Sequence, residues 1–97
     1  MIIRIVKMGF VPDQVDNFLD VFDQNKDKIR NFEGCTHLKL LRDTYNTSQF
    51  FTYSHWESEA HLNNYRNSSL FKEVWANTKN KFNQRPEAWS TDMIYPL

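Results

Sequence analysis

Two spacings of apolar positions alternate along this chain. Ile2–Met8 is a β-branched, apolar run interrupted only by Arg4 and Lys7, which predicts a strand. Gly9 to Val11 form a turn. Pro12 suits a helix start, where its missing N–H is not needed, and Asp13 suits the positive end of the helix dipole. Val15, Phe18, Leu19, Phe22 and Ile29 then recur at helical spacing, predicting a helix to about Asn31 that Gly34 closes as a left-handed cap. Cys35–Arg42 and Gln49–Trp56 predict two further strands. The segment Asp43 to Ser48 has turn chemistry and joins them as a hairpin. Ser58 is placed to cap a short helix through about Arg66, and Asn67-Ser68-Ser69 breaks that helix and offers a second cap. Leu70, Phe71, Val74, Trp75, Thr78 and Phe82 mark a third helix. Glu87–Tyr95 alternates again, with Trp89, Thr91, Met93 and Tyr95 on one face and Ala88, Ser90, Asp92 and Ile94 on the other, which predicts a fourth strand.

The order β-α-β-β-α-α-β describes an α+β protein. With the two short helices counted as one connection, it is a ferredoxin-like split βαβ unit occupying residues 1–97 as a single domain. Four antiparallel strands with helices on one side leave the second sheet face open. Here that face carries aromatics: the third strand places Phe51, Tyr53 and His55 on one side and Phe50, Thr52, Ser54 and Trp56 on the other. A homodimer whose sheets cover each other is the economical arrangement. The three Trp, four Tyr and eight Phe are a heavy apolar load for so small a core, which points the same way, or to a pocket.

Charge narrows the function classes. Twelve basic residues balance twelve acidic ones without a basic run, so nucleic acid is not an expected partner. The apolar N-terminal stretch is broken by charges and reads as a strand rather than a signal peptide, and no run approaches the roughly 20 residues of a membrane helix. One cysteine, Cys35, suits a reducing compartment. These features lead us to expect a cytoplasmic protein without membrane contact.

Candidate chemistry is sparse. His37, His55 and His61 lack metal-ligand spacing and have no cysteine pair to support them, although His55 and His61 with Glu57 or Glu59 could imitate a facial triad. Cys35 reads as a small buried cysteine rather than a nucleophile. With only Gly9 and Gly34 available, no phosphate-cradling or dinucleotide-binding loop can form. Neither a metal nor a bound cofactor is therefore expected. An aromatic set remains: Trp56, Tyr65, Phe71, Trp75 and Trp89 could line a flat apolar pocket for a small aromatic ligand, or could simply fill the core.

The run Trp56-Glu57-Ser58 followed by Ala60-His61-Leu62, with Leu70-Phe71-Lys72 about eight residues further on, resembles the antibiotic biosynthesis monooxygenase family, and its quinol monooxygenase members in particular. The resemblance also covers Glu33-Gly34-Cys35. It implies a dimeric α+β barrel and oxidation of a quinol-like or polyketide aromatic by O2 without a cofactor. For that chemistry His55 or His61 would be the base, with Tyr65 and Trp56 or Trp75 as hydrogen-bond donors. The family often has histidine where this chain has Tyr65 and near Leu70. Its haem-degrading branch uses an Asn, a Trp and a ligating His where this chain has Lys7 or Met8, Tyr65 and Trp75. A non-catalytic ligand-binding or stress-related domain, and a haem-binding or haem-degrading one, are the alternatives.

Overall fold

The first strand sits second from one edge of the sheet, hydrogen-bonded on both sides. In this computed structural model, which describes residues 1–97, the strands are β1 (Ile2–Gly9), β2 (Cys35–Arg42), β3 (Gln49–Trp56) and β4 (Glu87–Asp92). They form one sheet in the order β2-β3-β1-β4, and all neighbours are antiparallel. The helices are α1 (Val15–Arg30), α2 (Glu59–Arg66) and α3 (Ser69–Lys79). This is the ferredoxin-like arrangement that the element order predicts.

Local chemistry sets most boundaries. Pro12 opens a short 3-10 turn, Pro12–Gln14, that leads into α1. Ser58 accepts from the His61 N–H and Ser68 from the Phe71 N–H, so both serines cap as expected. In the β2–β3 hairpin the Asp43 carboxylate accepts the N–H groups of Tyr45 and Asn46, and Asp43 N–H bonds Gln49 O.

Three boundaries differ from the sequence reading. Helix α1 stops at Arg30 with Asn31 as its cap, so Gly34 does not end the helix. Gly34 does adopt a left-handed φ of 90°, but in the turn that leads into β2. Helix α3 ends at Lys79, and Phe82 lies beyond it in a bridge to Phe10, where packing on Phe10 and Trp75 replaces helical continuation. Strand β4 ends at Asp92 rather than Tyr95. Asp92 pairs with Ile2, the first residue of β1, and the β1–β4 ladder ends at that pair.

The core lies between the sheet and the helices in two clusters. Met8, Phe10, Phe18 and Phe50 form one, with Phe10 stacked on Phe18 at a ring separation of 4.1 Å. Cys35, Trp56 and Leu62 form the other. Burying side chains of this size stabilises the fold by roughly 1.5–3 kcal/mol each, so these residues are explained by folding. Burial also pushes the Cys35 thiol above its ordinary pKa, as expected for an inert buried cysteine.

Candidate active site

Strand alternation directs Arg4, Val6 and Met8 of β1, Leu38 of β2, and Thr52, Ser54 and Trp56 of β3 toward the helices. Above them Tyr65 of α2 and Phe71, Val74 and Trp75 of α3 face back toward the sheet. The space left between is a cavity of about 360 Å³, within the usual range for small-molecule sites. Members of both core clusters line it, among them Met8, Phe18, Trp56 and Leu62.

One wall is a continuous aromatic arc. Trp56 stacks on Tyr65 (centroids 4.9 Å apart, planes at 25°), Tyr65 meets Phe71 edge-on at 5.3 Å, and Phe71 lies nearly parallel to Trp75 at 5.9 Å. Polar atoms are few. The Trp56 indole N–H donates to Ser54 Oγ at 3.0 Å, so it is already satisfied, and Thr78 Oγ1 donates to Val74 O at 2.7 Å. Burial raises the pKa of Tyr65 well above that of a free phenol, with a smaller contribution from Cys35.

Four of the residues singled out from the sequence line this cavity together: Trp56, Tyr65, Phe71 and Trp75. The structure does not bring His55, His61 or Trp89 to it. Trp89 pairs with Ile5 on the open sheet face and is 47% exposed. His55 lies on the same open face, against His37 at a ring separation of 4.6 Å and Tyr53 at 5.2 Å. Its Nε2 is buried without a partner, and desolvation, then the charges of His37 and Lys39, lower its pKa. The alternation of β3 already separates His55 from Trp56, which is why the two cannot share a pocket within one chain. His61 packs over Gly34, shares a hydrogen bond between its Nδ1 and Ser58 Oγ (2.7 Å) and holds Nε2 3.8 Å from Glu57. It serves the start of α2. No three His, Cys, Asp or Glu side chains converge anywhere in the chain, so the facial triad does not assemble.

The sequence reading missed Arg4, Arg66, Thr52 and Ser54. The available signal was Arg4: a charge at an inward-facing position of an apolar strand, in phase with Ile2, Val6 and Met8.

Fold and cavity together define a ferredoxin-like α+β protein with an aromatic-walled cavity between sheet and helices. The family profile for antibiotic biosynthesis monooxygenase matches residues 1–77, and the chain belongs to that family. Solved structures agree on the fold. One described as an antibiotic biosynthesis monooxygenase superposes with a TM-score of 0.92 at 18% identity, covering 98% of this chain and 100% of its own. A conserved Methanosarcina mazei Go1 protein gives 0.88 at 21% identity, covering 94% of this chain and 91% of its own. The Mycobacterium tuberculosis protein Rv0793 gives 0.89 at 14% identity, covering 97% and 95%. Among curated proteins, no relative matches the chain. No helix is long and apolar enough to cross a membrane.

Proposed function

We propose that this protein is a monooxygenase that oxidises a small planar aromatic, such as a quinol- or anthrone-like phenol, with O2 and without a bound cofactor. The observation that carries this reading is the arc of Trp56, Tyr65, Phe71 and Trp75 around a cavity, in a chain of this family. Filling such a space with apolar side chains would stabilise the fold by on the order of several kcal/mol, so an open cavity is a cost that a ligand offsets.

In this reading the substrate supplies the electrons. For an anthrone-like substrate, an activated methylene loses a proton, the carbanion passes an electron to O2, and the radical pair combines to a hydroperoxide. Loss of water then gives the ketone, so that one methylene and one O2 yield one carbonyl and one H2O. The protein's part is to hold the ring flat, exclude bulk water and donate a hydrogen bond from the Tyr65 hydroxyl to the developing oxyanion. The cavity lining holds no histidine, so in this reading the substrate's proton passes to solvent. The absence of a histidine on the lining also argues against a haem-ligating site here.

A second copy of the chain would cover the open sheet face. That face exposes Leu41 and Trp89 and carries the half-buried Ile5, Phe51 and Tyr53. A pairing of this kind would bury them.

Oxygen uptake by metal-free protein with a panel of hydroquinones and anthrone-like phenols tests the oxygenase. A saturable rate above autoxidation, reduced about tenfold or more in Tyr65→Phe, is the expected result. Binding of these compounds without uptake would replace the oxygenase with the non-catalytic ligand-binding reading, which the lack of a base on the cavity lining favours.

A further inference from the structure

The floor of the cavity holds a charge that the fold does not balance. Arg4 sits on β1 between Ser54 of β3 and Ser90 of β4, facing the helices beside Val6 and Met8. It is half-buried, and its one side-chain hydrogen bond goes to an uncharged partner, from Nη1 to Ser90 Oγ at 2.9 Å. Arg66, at the end of α2, lines the same cavity from the exposed side. Neither takes part in an ion pair; those of this chain join Lys7 to Glu87, Lys26 to Asp23 and His61 to Glu57. Glu87 is the only carboxylate residue on the lining, and its carboxylate is 3.5 Å from Lys7. Burial and then the charge of Arg66 lower the Arg4 pKa, as expected when two cations share a site and neither has a carboxylate partner.

A partly desolvated guanidinium without a carboxylate is destabilising in a core, and an apolar residue would pack there at lower cost. Planar guanidinium groups bind carboxylate and phenolate oxygens through paired, charge-assisted hydrogen bonds. The opposite wall is flat and aromatic. Together these give an amphipathic site: a ring against Trp56, Tyr65, Phe71 and Trp75, and an oxyanion against the arginines.

We propose that the cavity takes its aromatic ligand as an oxyanion, a ring carboxylate or a phenolate, with Arg4 and Arg66 as the anion-binding pair. This rests on the cavity being the ligand site, and not on whether oxygen reacts there. If the oxyanion is a phenolate, the same pair lowers the acidity barrier that the missing base would otherwise have to overcome.

The test is binding of 2-naphthoate and its neutral methyl ester to the full chain, followed by quenching of tryptophan fluorescence. Naphthoate is expected to bind about tenfold tighter or better, with the gap shrinking as salt is raised and closing in Arg4→Gln and Arg66→Gln while ester affinity holds. Should Arg4→Gln fail to fold, Arg66→Gln at the exposed helix end and the salt titration decide. A parallel arm with 2-naphthol reads the phenolate: its ionisation should shift to lower pH when bound. Equal affinity for acid and ester together with an unshifted naphthol would overturn the proposal and leave the cavity standing as a ligand site. If none of the probes binds, the cavity reading falls as well.

Discussion

The phenol ring of Tyr65 lies on the indole of Trp56, with centroids 4.9 Å apart and planes inclined by 25°. One comes from the end of a strand, the other from the last turn of the helix that follows it. The contact joins the second core cluster to the wall of the cavity, so it carries both stability and site shape. Tyr65→Phe keeps the stack and removes the donor, so urea unfolding should be nearly unchanged while ligand affinity or turnover falls. Tyr65→Ala removes the stack and should destabilise by about 3 kcal/mol. Equal stability loss in both variants would show that the hydroxyl, not the ring, holds the fold.

Gly34 stands at a left-handed φ of 90°, and a Cβ there would run into the Cβ and ring of His61. Its carbonyl also accepts the Glu57 N–H at 2.8 Å, which fixes the approach of β3's end to this turn. Gly34→Ala should therefore cost about 1–3 kcal/mol through strain and overlap together. Adding His61→Ala removes the overlap and leaves the backbone strain, so the double variant should recover part of the loss in a urea-unfolding cycle. No recovery would mean that the imidazole is not the obstacle.

The hairpin between β2 and β3 contains a pH-sensitive clamp. Asp43 Oδ1 accepts the Tyr45 and Asn46 N–H groups at 2.8 and 3.0 Å, and Oδ2 accepts from Gln49 Nε2 at 2.9 Å. The N–H groups of Asn46 and Tyr45, chiefly, hold its pKa below the usual carboxylate value. Because the folded value is depressed, the stabilisation is present above the unfolded pKa of about 3.9 and is lost as pH falls through the folded value. Asp43→Asn should lower the urea midpoint near neutral pH, and the gap to the parent should narrow below about pH 4. A gap that stays constant with pH would assign the effect to shape rather than charge.

Tyr53 lies at the middle of the open sheet face, next to His37 and His55. If a second copy covers that face, Tyr53→Arg places an unpaired charge in the interface and should convert the dimer to monomer, or leave it unfolded if the monomer cannot stand alone. Light scattering on the parent and the variant checks this. A dimer that survives the substitution would put the contact elsewhere.

Local signals in the sequence determined the skeleton. β2 and β3 run over the predicted residues because their apolar and polar alternation is bounded by turn chemistry, and Ser58 and Ser68 start α2 and α3 because a serine hydroxyl meets free helix N–H groups wherever it stands at that position. The Trp56–Ser58 and Ala60–Leu62 motif also carried the family. What it could not carry was which elements meet. Phe82 was in phase with α3 but is held outside it by Phe10, and β4 stops at Asp92, where its ladder with β1 ends. The site shows the same division. Trp56, Tyr65, Phe71 and Trp75 are recognisable as aromatics from their types alone, and strand alternation already sets His55 opposite Trp56, but only tertiary packing turned the four toward one cavity, placed Trp89 on the other side of the sheet and kept His61 over Gly34. Arg4 makes the point most sharply: along the chain it is a charge interrupting a strand, and only the strands paired on either side and the helices above make it an unbalanced cation in an aromatic pocket. Periodicity is a property of neighbours in sequence, whereas a pocket and its field are set by contacts between residues far apart in it.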